Sequence, residues 1–332
     1  MMKIDEFQAV NELFRQEKIK TDLEKYDLSN NIIDISNKSQ TVYTGKGDLF
    51  IIRLPEKIVV LKQQNTTQVE AENLIRKKKN FPENYPEVYS HGEGYLILEF
   101  IKGERAWDKV LSGESIPLDK MVSHIAEIHN LSKRQLATGE INFKPKRYTD
   151  YSKSKFEKHL GSLLDINFSG AYKDMEDVIN KKLNKYPHVE HIDANLYNWI
   201  GLIKIDETNN TTSVPQMTLK SMLEYGPIIL DDNQLGKLYQ KYCKITSLDF
   251  NEFMDIDTYA NVVFHLNKVS RTLRYAIKMG GATPQEEIKG LKRHLNIFGN
   301  SLNEISASGQ RVSGLQNFNN SILTYCKEGG LI

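Results

Sequence analysis

The residues best suited to chemistry lie in one short stretch, His191-Ile192-Asp193-Ala194-Asn195-Leu196-Tyr197-Asn198. This stretch carries a carboxylate, Asp193, and a carboxamide, Asn198, directly before an apolar run that begins at Trp199. A carboxylate can accept or orient the proton of an attacking hydroxyl, and an asparagine carbonyl oxygen can help to coordinate Mg²⁺. Phosphoryl transfer requires both groups, because the protein's main task is to align the nucleophile and to neutralise polyanionic phosphates. The spacing therefore points to phosphoryl-transfer chemistry.

Composition and charge argue against nucleic acid and membrane as partners of this protein. The chain has 332 residues, of which 39% are hydrophobic and 26% charged, which is typical of a globular protein with room for two packed lobes. The formal net charge is +1, so no basic surface indicates a nucleic-acid partner. No run approaches the roughly 18 apolar residues of a membrane span, and residues 1–6 are polar and acidic, so we expect no membrane partner and a cytoplasmic location.

The pattern along the chain predicts two regions of different character. An amphipathic helix is expected over residues 3–25, and short β-branched runs between 32 and 101 predict one antiparallel sheet that a helix at 67–79 interrupts. After Gly103 helices predominate, with predicted segments at 118–131, 151–165, 173–185, 235–245 and 257–278. A β-like run at 199–205, between predicted helices, is interpreted as one strand of a hairpin whose second strand runs from 217 to 230.

The catalytic stretch resembles the loop of the aminoglycoside phosphotransferase and choline kinase group, which reads approximately His-Gly-Asp-x-x-x-x-Asn. The segment Ile125-Ala126-Glu127-Ile128-His129-Asn130-Leu131 is similar to the helix that follows the hinge in that group. The resemblance implies an α+β, bilobal, protein-kinase-like fold with an antiparallel β-sheet N-lobe, residues 1–101, and a mainly helical C-lobe, residues 102–332. It also implies ATP and Mg²⁺ as cofactors and the hydroxyl of a small molecule as acceptor, such as an aminoglycoside, choline or another amino alcohol, or a sugar.

By the same resemblance, Lys62 at the end of Val59-Val60-Leu61-Lys62 is the phosphate-binding lysine. A lone ammonium on a flexible stem needs a fixed carboxylate to aim it at the phosphates. The following helix offers two carboxylates, and we favour Glu72, with Glu70 as the second choice.

The resemblance also suggests where the rest of the nucleotide binds. Backbone groups near Glu99 and Ile101 would hydrogen-bond the adenine at the hinge, between apolar walls. The glycine-rich loop over the phosphates would be the turn that holds Gly45 and Gly47, which is shorter than a full GxGxxG.

Two residues compete to be the metal ligand that works with Asn198. Glu224 precedes Tyr225-Gly226 and so occupies an Asp-Phe-Gly-like position, whereas Asp231 follows the apolar run Ile228-Ile229-Leu230. We prefer Asp231, because chelation of Mg²⁺ by an aspartate tolerates little change in reach. The uncertain ligand and the short glycine loop leave an alternative function, a catalytically weak nucleotide-binding protein with a regulatory role, like a pseudokinase.

Overall fold

The structure is a computed structural model, and it describes residues 34–37, 48–53, 58–63, 66–145, 148, 168–207, 211–224, 228–278 and 285–332. The predicted helix at 3–25, the predicted helix at 151–165 and the glycine turn with Gly45 and Gly47 lie outside these residues.

The strands that the structure describes are short. In chain order they are β1 (Asp34–Asn37), β2 (Asp48–Arg53), β3 (Ile58–Gln63), β4 (Val88–Gly92), β5 (Tyr95–Glu99), β6 (Lys144–Pro145), β7 (Val189–Glu190), β8 (Trp199–Ile200), β9 (Ile203–Lys204) and β10 (Thr211–Ser213).

The helices lengthen towards the end of the chain. They are α1 (Thr67–Asn80), α2 (Ala106–Leu111), α3 (Leu118–Thr138), α4 (Ser169–Asp174), α5 (Lys181–Leu183), α6 (Pro215–Leu223), α7 (Asp232–Thr246), α8 (Phe250–Lys278), α9 (Gln285–Ala307) and α10 (Ser313–Glu328). A π-helical turn, Met175–Asn180, joins α4 to α5, and a 3₁₀ turn, Leu196–Asn198, precedes β8.

Residues pack into two compact units, and the chain passes between them more than once. The first unit comprises residues up to Lys120 and the segment Ile192–Asn210, and the second comprises Met121–His191 and Thr211–Ile332. The predicted boundary at residue 101 therefore falls inside the first unit, and the catalytic stretch after His191 packs with the sheet-containing unit. The combination of an antiparallel sheet with long helices confirms the predicted α+β class.

The sheet of the first unit has the order β1-β2-β3-β5-β4, with antiparallel pairing throughout. In β3, Val59 and Leu61 are fully buried, whereas Val60 and Lys62 alternate with them and are half-buried. Because successive side chains of a strand point to opposite faces, Lys62 projects from the face opposite to Val59 and Leu61.

The buried stripe of α1 is partly polar. Its inward residues follow the helical period and comprise Thr67, Glu70, Ala71, Asn73, Leu74 and Lys77. A carboxylate, an amide and an ammonium group on a buried face each require a partner, because an unpaired buried polar group is costly. The prediction of a helix at 67–79 is confirmed, and its inner face carries polar groups that need partners.

The hairpin after the catalytic stretch is tighter than the sequence analysis expected. β8 pairs antiparallel with β9, with Trp199 opposite Lys204 and Ile200 opposite Ile203. The two-residue turn between them holds Gly201 at φ +60°, a left-handed conformation that glycine adopts without strain. The predicted second strand at 217–230 is wrong, because residues 215–223 form helix α6, with Pro215 in its first turn.

Helices form most of the second unit, whose core contains side chains such as Phe253, Val263, Leu295 and Phe298, all fully buried or nearly so. A small sheet of order β6-β10-β7 joins them. The predicted helices at 235–245 and 257–278 are confirmed by α7 and α8. Within the described residues, none of the helices has the length and apolarity needed to cross a membrane.

Candidate active site

The catalytic stretch is a loop fixed by its own side chains. Asp193 is exposed between Ile192 and Ala194, which are fully buried. The Asn198 Nδ2 donates to the Asp193 carbonyl oxygen at 3.2 Å, and the indole Nε1 of buried Trp199 donates to the Ala194 carbonyl oxygen at 3.2 Å. The loop thus presents one carboxylate to solvent on a rigid backbone. Because Nδ2 of Asn198 is engaged inside the loop, its carbonyl oxygen is the end of the amide that can meet a cation.

Lys62 pairs with Glu70 and not with Glu72. The Lys62 Nζ donates to the Glu70 Oε1, and a second contact of 3.3 Å joins Nζ to the Ile205 carbonyl oxygen. The prediction of Glu72 is wrong, because two helical positions separate it from Glu70 and turn it by about 200° around the axis. Glu72 is exposed and accepts a hydrogen bond from Gln68 at 3.2 Å instead.

The electrostatics of this pair reveal a third member, Asp206. Burial alone would lower the pKa of the Lys62 ammonium, but the negative charges of Glu70 and Asp206 outweigh it, so the pKa is raised. Burial raises the pKa of Glu70 to about 7; the Lys62 charge opposes this rise and the Asp206 charge adds to it. Lys62 therefore stays protonated at neutral pH, between two carboxyl groups.

Asp206 is a candidate functional residue that the sequence pattern did not single out. It follows β9 by two residues, and its Oδ1 is buried without a hydrogen-bond partner. An orphaned buried carboxylate oxygen is costly, and a bound cation would satisfy it. The available signal was the run Ile203-Lys204-Ile205-Asp206, an apolar strand that ends in an aspartate soon after Asn198.

Asn198 and Asp206 fit Mg²⁺ by donor type, since both offer hard oxygen atoms. The described residues contain no group of three or more His, Cys, Asp or Glu side chains that could hold a metal ion. Mg²⁺ in nucleotide sites is typically held by one or two protein groups together with the phosphates.

The two metal ligands favoured by the sequence analysis have other partners. Asp231 caps the N-terminus of α7, where its Oδ1 accepts from the Gln234 backbone N–H at 2.7 Å and its own backbone N–H donates to the Gln234 Oε1 at 3.0 Å. Glu224 is buried and accepts from Lys220 and Tyr239, each at 2.8 Å. Assignment of either residue to the metal does not fit these contacts, because protein donors already hold both carboxylates.

At the predicted hinge, the Glu99 backbone N–H already has a partner within the protein. The Glu99 backbone N–H donates to the Glu87 carbonyl oxygen at 2.9 Å, and its Oε2 accepts from the Glu87 N–H at 3.0 Å. The Glu99 amide is therefore occupied and cannot donate to a base. Ile101 is half-buried just beyond β5, and its contact with adenine stays a prediction.

The segment after the hinge packs on the catalytic loop. Gly103 has φ +143°, and a Cβ there would lie 2.9 Å from the Ile200 Cγ2, so only glycine fits without displacement. Arg105 forms a β-bridge with Ile200, and the Trp107 ring stacks on Tyr197 with centroids 4.0 Å apart and planes 18° from parallel. Tyr197 directly precedes Asn198, so this stack braces the predicted metal ligand.

Comparison with solved structures identifies the fold. Choline kinase from Cryptosporidium parvum aligns with a TM-score of 0.60 at 11% identity, over 94% of this chain and 99% of that one. The aminoglycoside phosphotransferase APH(2'')-IIa, solved with streptomycin and ATP, aligns with a TM-score of 0.53 at 16% identity, over 90% and 99% of the two chains. The chain has the fold of these small-molecule kinases.

A further kinase shares the fold at low sequence identity. An ethanolamine kinase from Plasmodium vivax aligns with a TM-score of 0.54 at 12% identity, over 81% of this chain and 84% of that one. No protein-family model matches the chain, and no curated protein sequence is similar to it. The resemblance inferred from the catalytic loop is thus confirmed for the fold, and residue roles depend on the geometry described above.

Proposed function

We propose that the protein is an ATP- and Mg²⁺-dependent phosphotransferase whose acceptor is the hydroxyl of a small molecule. One observation carries this proposal: Asp206 has a buried, unpartnered carboxylate oxygen and lies within electrostatic reach of the Lys62–Glu70 pair. Asp193 and Asn198 belong to the same compact unit. These groups are the set that phosphoryl transfer requires, namely a cation for the phosphates, oxygen ligands for a metal and a carboxylate for the nucleophile.

Each residue has a definite task in this proposal. Lys62, held by Glu70, binds phosphate oxygens of the nucleotide. Asp193 orients the acceptor hydroxyl and takes its proton as the oxygen bonds to the γ-phosphorus and the bond from that phosphorus to the bridging oxygen breaks. The products are ADP and the phosphate ester.

Asn198, through its carbonyl oxygen, and Asp206 would hold Mg²⁺, which when bound neutralises charge on the phosphates. Both oxygens are prepared for this role by the protein itself. Asn198 has its Nδ2 bonded to the Asp193 carbonyl, and Asp206 retains an unsatisfied oxygen. Such pre-organisation lowers the cost of assembling the charged site when the nucleotide arrives.

The acceptor class is proposed from the neighbours, whose names specify choline, ethanolamine and aminoglycosides. The test is a screen for acceptor-dependent ADP release from Mg·ATP, with amino alcohols, aminoglycosides and sugars as candidate acceptors. Asp193→Asn should lower kcat by about 10²- to 10⁴-fold with little change in ATP binding, as expected for loss of a general base. The exposed Asp232 supplies the control, because Asp232→Asn makes the same chemical change outside the proposed site.

The proposal would be contradicted if the protein bound Mg·ATP but no acceptor class gave turnover that is lost in Asp193→Asn. That result would favour the regulatory, pseudokinase-like alternative. Calorimetric titration with ADP, in the presence and absence of Mg²⁺, separates nucleotide binding from turnover and checks the metal requirement directly.

A further inference from the structure

Directly after Asp206, the chain buries a second carboxylate that the proposed chemistry does not use. Glu207 is 1% exposed and lies between two lysines that are completely buried. The Lys77 Nζ is 2.5 Å from its Oε2, and the Lys204 Nζ is 3.1 Å from its Oε1. The Tyr85 hydroxyl donates to Oε1 at 3.4 Å. Burial of three charges in one place is expensive, and it is tolerated only where each charge has a well-placed opposite partner.

This cluster connects α1 to the end of β9. Lys77 belongs to α1, and four positions earlier Asn73 donates from Nδ2 to the Glu207 carbonyl oxygen at 3.1 Å. Residues four apart share one face of a helix, so both contacts arise from the inner face of α1. Glu70 lies one turn further towards the helix N-terminus on that face, where it holds Lys62.

Charges in this region are balanced. Three ammonium groups face three carboxyl groups: Lys62, Lys77 and Lys204, with Glu70, Asp206 and Glu207. Lys204 also donates to the Asp206 carbonyl oxygen, which fixes the backbone of the proposed metal ligand from the other side. Separation of α1 from the loop would pull these oppositely charged groups apart, so the cluster resists that separation.

We propose that Glu207 is a positioning residue that fastens α1 to the loop carrying Asp206. The fastening keeps Glu70 directed at Lys62 and holds the Asp206 carboxylate in place before any nucleotide binds. This inference rests on the proposed function, since it concerns how the phosphate- and metal-binding groups are held.

Lys77→Met tests the proposal, with Lys79→Met as the matched control. Both substitutions remove one lysine charge from α1, but Lys79 is exposed. Lys77→Met leaves Glu207 paired with Lys204, so the fold should persist. We expect the Mg²⁺ concentration for half-maximal activity to rise about tenfold in Lys77→Met, as for loss of a group that supports a metal ligand, and to stay unchanged in Lys79→Met.

Amide hydrogen exchange of the nucleotide-free protein provides a readout that needs no activity. Protection of residues 70–78 should fall at least about tenfold in Lys77→Met while protection of α8 is retained, because opening of α1 no longer separates as many buried charges. Asn73→Ala removes the uncharged link and should give a smaller loss of protection in the same residues. It also provides a folded variant if Lys77→Met fails to fold.

The proposal is overturned if folded Lys77→Met, or Asn73→Ala in its place, retains wild-type protection in α1 and a wild-type Mg²⁺ requirement. Absence of phosphotransferase activity in the wild-type protein would instead refute the proposed function. In that case, the exchange comparison still decides whether Glu207 fastens the helix.

Discussion

Acid should destabilise the second unit through a pair of buried histidines. The His265 Nδ1 lies 2.8 Å from the His294 Nδ1, and the His265 Nε2 lies 3.1 Å from the Glu224 Oε2. Since a carboxylate only accepts, the His265 Nε2 carries a hydrogen. Burial lowers the pKa of His265, so its ring is neutral at pH 7 and its Nδ1 accepts from the His294 Nδ1. Both rings are then neutral at pH 7, and burial opposes the addition of a further proton.

The pKa values agree with this arrangement. Burial is the main cause that lowers the pKa of His294 to about 2, and the neighbouring His265, Lys268 and Arg293 lower it further. Burial also lowers the pKa of His265, with contributions from Lys220 and Arg293, and the Glu224 carboxylate opposes the shift. An unfolded histidine has a pKa of about 6.5, so below this pH the unfolded chain binds protons that the folded chain excludes.

The sign and size of the change in unfolding free energy with pH follow from proton linkage. Because the unfolded state binds more protons, the free energy of unfolding decreases as the pH falls. For His294 alone, the decrease between pH 7 and pH 5 is about 2 kcal/mol. Asp257, whose pKa burial raises to about 6, acts in the opposite direction, by about 1 kcal/mol over the same range.

The assay is urea unfolding followed by circular dichroism at pH 7 and pH 5. His294→Gln should lose less stability on acidification than the wild-type protein does, by about 2 kcal/mol, because glutamine does not titrate and the contribution of Asp257 cancels in the comparison. His91→Gln, at an exposed position of β4, should behave like the wild type. An equal loss of stability in the wild type and in His294→Gln would refute the reasoning.

Kinetic effects of substitution should distinguish the proposed site residues from the other candidates. Asp206→Asn should lower kcat by about 10²-fold or more, whereas Asp231→Asn, measured in the same coupled assay, should leave kcat unchanged, because asparagine caps a helix about as well as aspartate does. Glu70→Gln should raise the KM for ATP about tenfold, and Glu72→Gln should leave the steady-state constants unchanged. Trp107→Leu should lower kcat about tenfold while Trp107→Phe retains most of it, because phenylalanine preserves the ring stack; equal losses in both variants would contradict a bracing role.

Helices with a regular apolar period could be predicted from the sequence, and so could the residues of the catalytic loop. The helix at 67–79 and the long helix at 257–278 both have an inward face that repeats every three to four residues. The phase of α1 was harder to determine, because its buried face carries Glu70, Asn73 and Lys77. Polar residues normally mark the outer face of a helix, so the apolar period alone does not show which of the two glutamates faces inward.

The sequence did not point to Asp206 as the proposed metal ligand, because the pattern at 217–230 suggested a strand where the structure has helix α6. Alternation of Met217 and Leu219 is typical of a strand, and it suggested a long hairpin that ended near Asp231. Pro215 in a first helical turn was the local signal for α6, and Gly201 was the signal for the tight turn after β8. With these two signals, the hairpin closes early and Asp206 becomes the acidic residue that follows it.

The chain contains only two tryptophans, and both contact the catalytic loop. Trp107 lies against Tyr197, and Trp199 is bonded to the Ala194 carbonyl oxygen. Intrinsic tryptophan fluorescence of this protein therefore arises entirely from two indoles beside Asp193 and Asn198. Any ligand that rearranges this loop should alter the emission of the unlabelled wild-type protein, which makes nucleotide, metal and acceptor titrations possible in a simple optical experiment.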